Sequence, residues 1–197
     1  DLKKKNWFNI GGKTKIYFKA KNLKQLIKFL KRIENKEKIF VLGGGSNTLI
    51  TDGKFDGVVI KLSDDFNNIS KLTDEIIIAG SAVSDRSLSN FAMQNDIGGF
   101  EFLSCIPGTV GGGIKMNAGC FEREFKDIIV SIQAVDKSGK VLTIPAEDMN
   151  FKYRDSRLSD NLIFLSASFK GYKTEKELIK NKMKLLKEKK EKAQPTR

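Results

Sequence analysis

The chain has 197 residues, 40 % of them hydrophobic with 14 Phe, a composition that supports one or two buried cores and excludes a disordered polymer. It holds no histidine and only two cysteines, Cys105 and Cys120, which excludes an internal Ser–His or Cys–His pair, a histidine-ligated metal and a disulfide framework. The formal charge of +12 is uneven: residues 170–197 carry 11 Lys+Arg against 4 Asp+Glu, the pattern of a solvated lysine-rich helix.

No apolar run approaches the ~20 residues of a membrane span, so no membrane association is expected. The opening residues, Asp1 to Trp7, have no apolar stretch of signal-peptide type, so such a peptide is absent or removed. The two cysteines read as buried structural thiols of a reducing cytoplasm. No aromatic residue lies between Tyr172 and Arg197 to stack on bases, so no nucleic-acid partner is expected.

In chain order, Ile16–Ala20 reads as a strand. Asn22 caps a helix whose apolar residues Leu23, Leu26, Ile27, Leu30 and Ile33 fall on one stripe, with Gln25 completing a capping box. The apolar run Ile39–Leu42 is a strand that feeds directly into Gly43-Gly44-Gly45-Ser46-Asn47, and Val58–Leu62 is the next strand. A dinucleotide-binding Rossmann unit would open a helix after its glycines. Here Thr48–Gly53 follows, β-branched and turn-like, with no helical stripe.

Glu75–Ala79 reads as a strand ending at Gly80, and Ser84 begins an amphipathic helix carrying Leu88, Phe91 and Ala92. A second glycine segment runs Ile106-Pro107-Gly108-Thr109-Val110-Gly111-Gly112-Gly113 and leads to Asn117-Ala118-Gly119. Residues 128–135 and 141–144, joined by the turn Lys137–Lys140, read as a hairpin. Phe151–Arg157 is a polar stretch with aromatics, and Leu162–Leu165 is a further strand. Thr174, with Glu177 three residues on, opens a last helix that ends at Gln194-Pro195, its face built from Leu178, Ile179, Met183, Leu185 and Leu186. That face suggests a connector to a further domain. The polar cluster Asp64, Asp65, Asn67, Asn68 and Ser70 marks a boundary, giving units 1–65, 66–172 and 173–197.

Residues 43–45 and 98–119 hold ten of the 17 glycines. Glycine clusters mark positive φ or close approach of backbone to a ligand. Adjacent glycines let several N–H groups converge on an anion without a charged side chain. Gly43, Gly44, Gly45, Ser46 and Asn47 form either such a nest or a tight strand-to-strand turn. Pro107, Gly108, Thr109, Gly111 and Gly112 permit a backbone that hugs a ring or a phosphate. Two such segments point to a cradle for a phosphate-bearing cofactor. Glu101, between two Phe, is expected to face out of a strand, and Trp7 and the Phe residues are expected in the core.

Six segments occur together in order: Asn6–Gly12 (NWFNIGG), Leu42–Leu49 with Asp52, Gly98–Leu103 (GGFEFL), Ile106–Gly113, Met116–Gly119 (MNAG) and Tyr153–Ser156 (YRDS). In these the sequence resembles the UDP-N-acetylenolpyruvoylglucosamine reductase (UDP-N-acetylmuramate dehydrogenase) family over nearly its whole length. The resemblance implies an α+β, two-subdomain FAD-binding fold of the vanillyl-alcohol-oxidase type, and a bacterial cytoplasmic flavoenzyme of peptidoglycan precursor synthesis. NADPH reduces FAD in that family, and hydride then passes to UDP-N-acetylglucosamine enolpyruvate. By motif match Gly43–Asn47 would hold the FAD pyrophosphate, and Pro107–Gly113, Asn117 and Gly119 would line the flavin. The family's active-site arginine falls on Arg154, beside Tyr153 as a substrate contact. An enolate developing during hydride addition needs fixed positive charge, which Arg supplies because it does not lose its proton. The resemblance also implies a third domain that supplies a proton-donating serine and a glutamate. Neither is present in these residues, so the chain is expected to be a fragment, one half of a split protein or a decayed copy, binding FAD but turning over poorly alone.

Overall fold

The computed structural model describes residues 1–33 and 37–194. Strand β1 (Lys13–Ala20), helix α1 (Leu23–Leu30), β2 (Ile39–Val41) and β3 (Lys54–Leu62) form a three-stranded parallel sheet in the order β1-β3-β2. A second sheet is antiparallel, built from β4 (Ile69–Lys71), β5 (Ile76–Gly80), β9 (Ile129–Val135), β10 (Val141–Pro145) and β11 (Ile163–Lys170) in the order β10-β9-β11-β5-β4. Between β5 and the rest of that sheet the chain makes α2 (Asp85–Gln94), the short β6 (Ile97–Gly98), a 3-10 turn at Glu101–Cys105, α3 (Val110–Lys115), and the small β7 (Gly119–Cys120) and β8 (Arg123–Glu124) pair. The hairpin strands β9 (Ile129–Val135) and β10 (Val141–Pro145) follow, then β11 (Ile163–Lys170), β12 (Tyr172–Lys173) and α4 (Lys176–Ala193).

Alternation along β1 decides which face of the small sheet is buried. Ile16, Phe18 and Ala20 turn toward α1, where Phe18 stacks on Phe29 at 3.8 Å, while Tyr17 and Lys19 face away. Asn22 caps α1 by accepting from the Gln25 N–H at 2.9 Å. The Gln25 side chain accepts from Lys21 N–H, one residue before the cap, so the expected box closes one position early. Leu26, Leu30 and Ile60 share a core with Val135, Ile163 and Leu165 of the larger sheet, so the two sheets are welded by apolar contact. Each such fully buried aliphatic side chain contributes about 2 kcal/mol, which holds the sheets in fixed register for whatever lies at their junction. The larger core is centred on Phe100, Phe102, Phe125 and Phe169, which meet edge to face.

Several expectations are corrected. The segment Ile106–Gly113, expected as a loop throughout, gives way to helix from Val110 to Lys115, because Val110 and Ile114 find buried contacts that outweigh three glycines. Glu101 faces inward on a 3-10 turn: it is buried, accepts from Gly99 N–H at 3.0 Å and pairs with Lys182 at 3.5 Å. Trp7 and Phe8 are 60 % and 54 % exposed and do not enter the core. The last helix is capped at Glu175 without a side-chain bond, not by Thr174, whose N–H instead donates to Asp96 O. Pro195 lies outside the described residues. Helix α4 packs on the 101–105 turn and on α2, and its face is divided: Ile179 and Leu186 are buried, whereas Leu178 and Leu185 are exposed.

Candidate flavin cradle and the Arg154 turn

The first glycine segment begins where β2 stops pairing. The last ladder-like bond is Leu42 N–H to Ile60 O at 2.9 Å. Beyond it, among the described residues, the N–H groups of Gly43, Gly44, Gly45, Ser46 and Asn47 have no protein acceptor. Successive free N–H groups are what a nest offers an anion. The segment is held by other atoms: Lys61 Nζ donates to Gly43 O, Trp7 N–H donates to Gly45 O at 3.0 Å, and Ser46 Oγ donates to Pro107 O at 2.6 Å. Gly45 has φ +70°, and a Cβ there would stand 2.5 Å from Lys5 O, so only glycine fits.

The second segment meets the first from the other subdomain. Thr109 caps α3 and forms a bridge with Ser84, the cap of α2; Asp85 N–H donates to Gly108 O and Val110 N–H to Val83 O. The N–H groups of Gly108 and Thr109 remain free of protein acceptors among the described residues. A Cβ on Gly43 would lie 2.8 Å from Thr109 Oγ1, and one on Gly44 would lie 3.3 Å from Gly108 Cα. The glycines therefore serve contact between the two loops as well as access to their amides.

Beneath this contact lies a group of polar atoms without partners. Among the described residues, Ser81 Oγ, Thr109 Oγ1 and both oxygens of Asp85 are buried and make no hydrogen bond. Burial alone pushes the Asp85 carboxyl up to about 8, so the folded chain holds it as a neutral acid. Neither Ser81 nor Asp85 stood out in the sequence; the only signal was the Ser84 cap, which places Asp85 in a helical first turn. Free amides from two loops, with neutral polar groups below and no carboxylate charge facing them, fit a pyrophosphate-bearing dinucleotide.

From Thr109 the α3 turn carries the chain about 9 Å to a third cluster. Asn117 is fully buried at φ +39°: its Nδ2 donates to Glu124 Oε2 at 3.0 Å and Lys152 O at 3.1 Å, and its Oδ1 accepts from Lys126 N–H at 3.1 Å. All of these partners are within the protein, so its side chain organises two turns. The Lys126 ammonium on Glu124 holds that carboxyl below its usual range, which strengthens the clamp.

One of the clamped turns is Lys152–Asp155, closed by reciprocal backbone bonds of 2.8 and 3.1 Å. Arg154 sits in it at φ +57°, with its guanidinium 5.2 Å from the Tyr153 ring and its Nη2 donating to Gly119 O at 3.3 Å. Both side chains face an open cavity of about 500 Å³ lined also by Cys120, Phe121 and Arg123. Lys115, at the end of α3, anchors the following strap by donating to Leu158 O and pairing with Asp160. Cys105 and Cys120 are both free thiols, buried and half-buried, and burial raises the Cys120 thiol. Among the described residues no group of three or more acidic or cysteine side chains could hold a metal, and no helix is long and apolar enough to cross a membrane.

Residues 14–145 match the family described as FAD binding domain. The whole chain is 66 % identical to a UDP-N-acetylenolpyruvoylglucosamine reductase of Pelagibacter ubique, and 91 % of it is 45 % identical to one of Rickettsia canadensis. The chain spans 65 % and 60 % of the lengths of these relatives. A crystal structure of the UDP-N-acetylenolpyruvylglucosamine reductase of Thermus caldophilus matches the whole chain with a TM-score of 0.85 at 26 % identity, over 69 % of its own length. The architecture is the α+β FAD-binding type expected from the sequence.

Proposed function

The chain belongs to the FAD binding domain family, and from that premise we propose that it is the flavin-binding part of a reductase that uses NADPH to convert UDP-N-acetylglucosamine enolpyruvate to UDP-N-acetylmuramate. The similarity to UDP-N-acetylenolpyruvoylglucosamine reductases supports the substrate and the direction of the reaction. The observation that carries the cofactor's place is the contact of Gly43 and Gly44 with Thr109 and Gly108, which brings two sets of unpaired amides together. FAD, when bound, supplies the chemistry of hydride transfer between the nicotinamide and the enolpyruvyl double bond.

In this reading residues 1–65 and 66–172 are two flavin-binding subdomains and 173–197 is a connector. The amides of Gly43–Asn47, with the Asn47 side chain, take the pyrophosphate while the Ser46 hydroxyl ties the two loops through Pro107 O, and Pro107, Gly108, Thr109, Gly111, Gly112, Asn117 and Gly119 border the flavin. Backbone donors fixed before binding cost no reorganisation when charge arrives. Arg154 carries a permanent charge on a turn stiffened by Asn117, beside the half-open cavity, which suits it to the negative charge that develops on the enolpyruvyl carboxyl side. Tyr153, 80 % exposed next to it, offers the substrate a ring and a hydroxyl. A non-glycine residue at positive φ costs about 1–2 kcal/mol and persists where the surroundings over-determine it. A bacterial cytoplasmic enzyme of cell-wall precursor synthesis follows from this reading.

The chain alone is proposed to hold FAD and to turn over weakly. The absorbance spectrum of the purified, desalted protein tests the first half: a flavin spectrum, with FAD released on denaturation, is expected. A colourless protein that also takes up no added FAD overturns the reading. Substrate-dependent NADPH oxidation at an enzyme-like rate by the isolated chain overturns the second half.

A further inference from the structure

The exposed face of the small sheet holds three ammonium groups close to the first glycine segment. Lys19 and Lys61 are register partners on adjacent strands, and Lys5 lies over the ring of Tyr17, two residues before Lys19 on the same face. Like charges opposite one another on a sheet are destabilising. Among the described residues none of the three has a carboxylate partner. Lys61 spends its ammonium on one acceptor, the carbonyl of Gly43.

That bond fixes more than one atom. In a planar trans peptide the carbonyl and the following N–H point in opposite directions. Drawing Gly43 O toward Lys61 therefore turns the Gly44 N–H the other way, off the lysine face, and Gly44 is the residue that abuts Gly108. A charged donor on a carbonyl also polarises the peptide and strengthens its N–H as a donor. Two adjacent glycines have no steric preference that would hold this plane unaided.

We propose that Lys61 is a positioning residue of the cradle: it locks the Gly43–Gly44 peptide so that the Gly44 N–H is presented to the pyrophosphate of the dinucleotide, with Lys5 and Lys19 adding positive potential behind it. The inference rests on the flavin reading above. The groups facing Lys61 are Lys19 on β1, Lys5 on the N-terminal turn, and Tyr17, whose hydroxyl burial pushes up; on the β2 side Ile39, Phe40 and Val41 carry no charge. Burial first, then Lys19 and Lys5, lower the Lys61 ammonium from its usual range. Its positive charge is therefore lost on the alkaline side earlier than that of an isolated lysine.

The test is a fluorescence titration of the flavin-free chain with FAD, ADP and riboflavin separately. Lys61→Met is expected to weaken FAD and ADP about tenfold or more, the size of a lost charge-assisted hydrogen bond, and to leave riboflavin unchanged because it has no pyrophosphate. Lys61→Arg restores FAD binding to within about threefold on the same conversion. It is also expected to remove the alkaline fall in affinity expected of the native chain, because guanidinium stays charged. Lys61→Ala, which likewise keeps neither the charge nor a donor, is read in the same way should the methionine variant fail to fold. Equal affinity of the native and Lys61→Met chains for FAD, or a parallel loss of FAD and riboflavin, overturns the inference. A native chain that takes no FAD overturns the flavin reading itself and this inference with it.

Discussion

Gly44 and Gly108 touch across the boundary between the two sheets, so closely that a Cβ on Gly44 would stand 3.3 Å from the Cα of Gly108. Neither residue needs positive φ; the pair is glycine because two backbones share the space. A methyl group there wedges the loops apart by a few tenths of an ångström and separates the two sets of amides. Gly44→Ala is therefore expected to weaken FAD by about tenfold while shifting the melting temperature by no more than a few degrees, as a loss of roughly 1 kcal/mol would. Gly12→Ala is the contrast: its Cβ would lie 1.9 Å from Gly53 O, and the melting temperature should collapse. Equal effects of the two substitutions on FAD affinity and on melting would contradict this account.

Asp85 makes the flavin-free chain pH-sensitive. Its carboxyl is held up to about 8 in the folded state, against about 4 when unfolded. Below pH 4 the group is protonated in both states and its contribution is fully present. As pH rises from about 4 to about 8 the unfolded chain sheds the proton and the folded chain keeps it, so stability falls by up to about 1.4 kcal/mol per pH unit. Denaturant melts at pH 5 and pH 8 should show this decline, and Asp85→Asn should flatten it while raising stability at pH 8. A native chain as stable at pH 8 as at pH 5 would exclude the neutral buried acid.

The order and type of most elements were legible because they rest on local periodicity: the α1 stripe, the Ser84 cap and the 128–144 hairpin. The two glycine segments were legible as loops that approach something, though not that they approach each other; contact between residues 44 and 108 carries no periodic signature. Glu101 was misread because alternation with Phe100 and Phe102 implies a strand, whereas the segment winds into a 3-10 turn. There Glu101 finds a backbone amide and Lys182, a partner 81 positions away. Trp7 and Phe8 show the opposite error, aromatic side chains left at the surface beside the Gly45 turn. Lys61 and Asp85 were silent, since their meaning lies in what they face.

Glu101 ties α4 to the body of the protein. Its side chain is buried, with one oxygen on Gly99 N–H and the other near Lys182 of α4. Glu101→Ala leaves a buried amide unpaired and a lysine without its carboxylate, a loss of about 2–4 kcal/mol. Hydrogen exchange should then accelerate along α4 more than along β9 and β11. Uniform acceleration through the chain would mean that Glu101 serves the core and not the docking of the helix.

In the proposed reading Arg154 separates stability from function at a single residue. Its φ of +57° is a conformation that a β-carbon disfavours, and the turn is nevertheless closed on both sides by Lys152–Asp155 bonds and clamped by Asn117. Arg154→Gly removes a strain of about 1–2 kcal/mol and adds about 0.4–1 kcal/mol of unfolded-state entropy, so the chain should melt within a few degrees of the native one. Arg154→Val keeps the strain and adds a branched β-carbon, and should be less stable than Arg154→Gly. Both lack the guanidinium, so both should lose affinity for the UDP-sugar, measured by calorimetry on the FAD-loaded chain, while FAD itself stays bound. Retained UDP-sugar affinity in Arg154→Gly would remove Arg154 from the substrate site. A marked drop in its melting temperature would show that the guanidinium's bond to Gly119 O holds the turn, and that the strain is not stored for function.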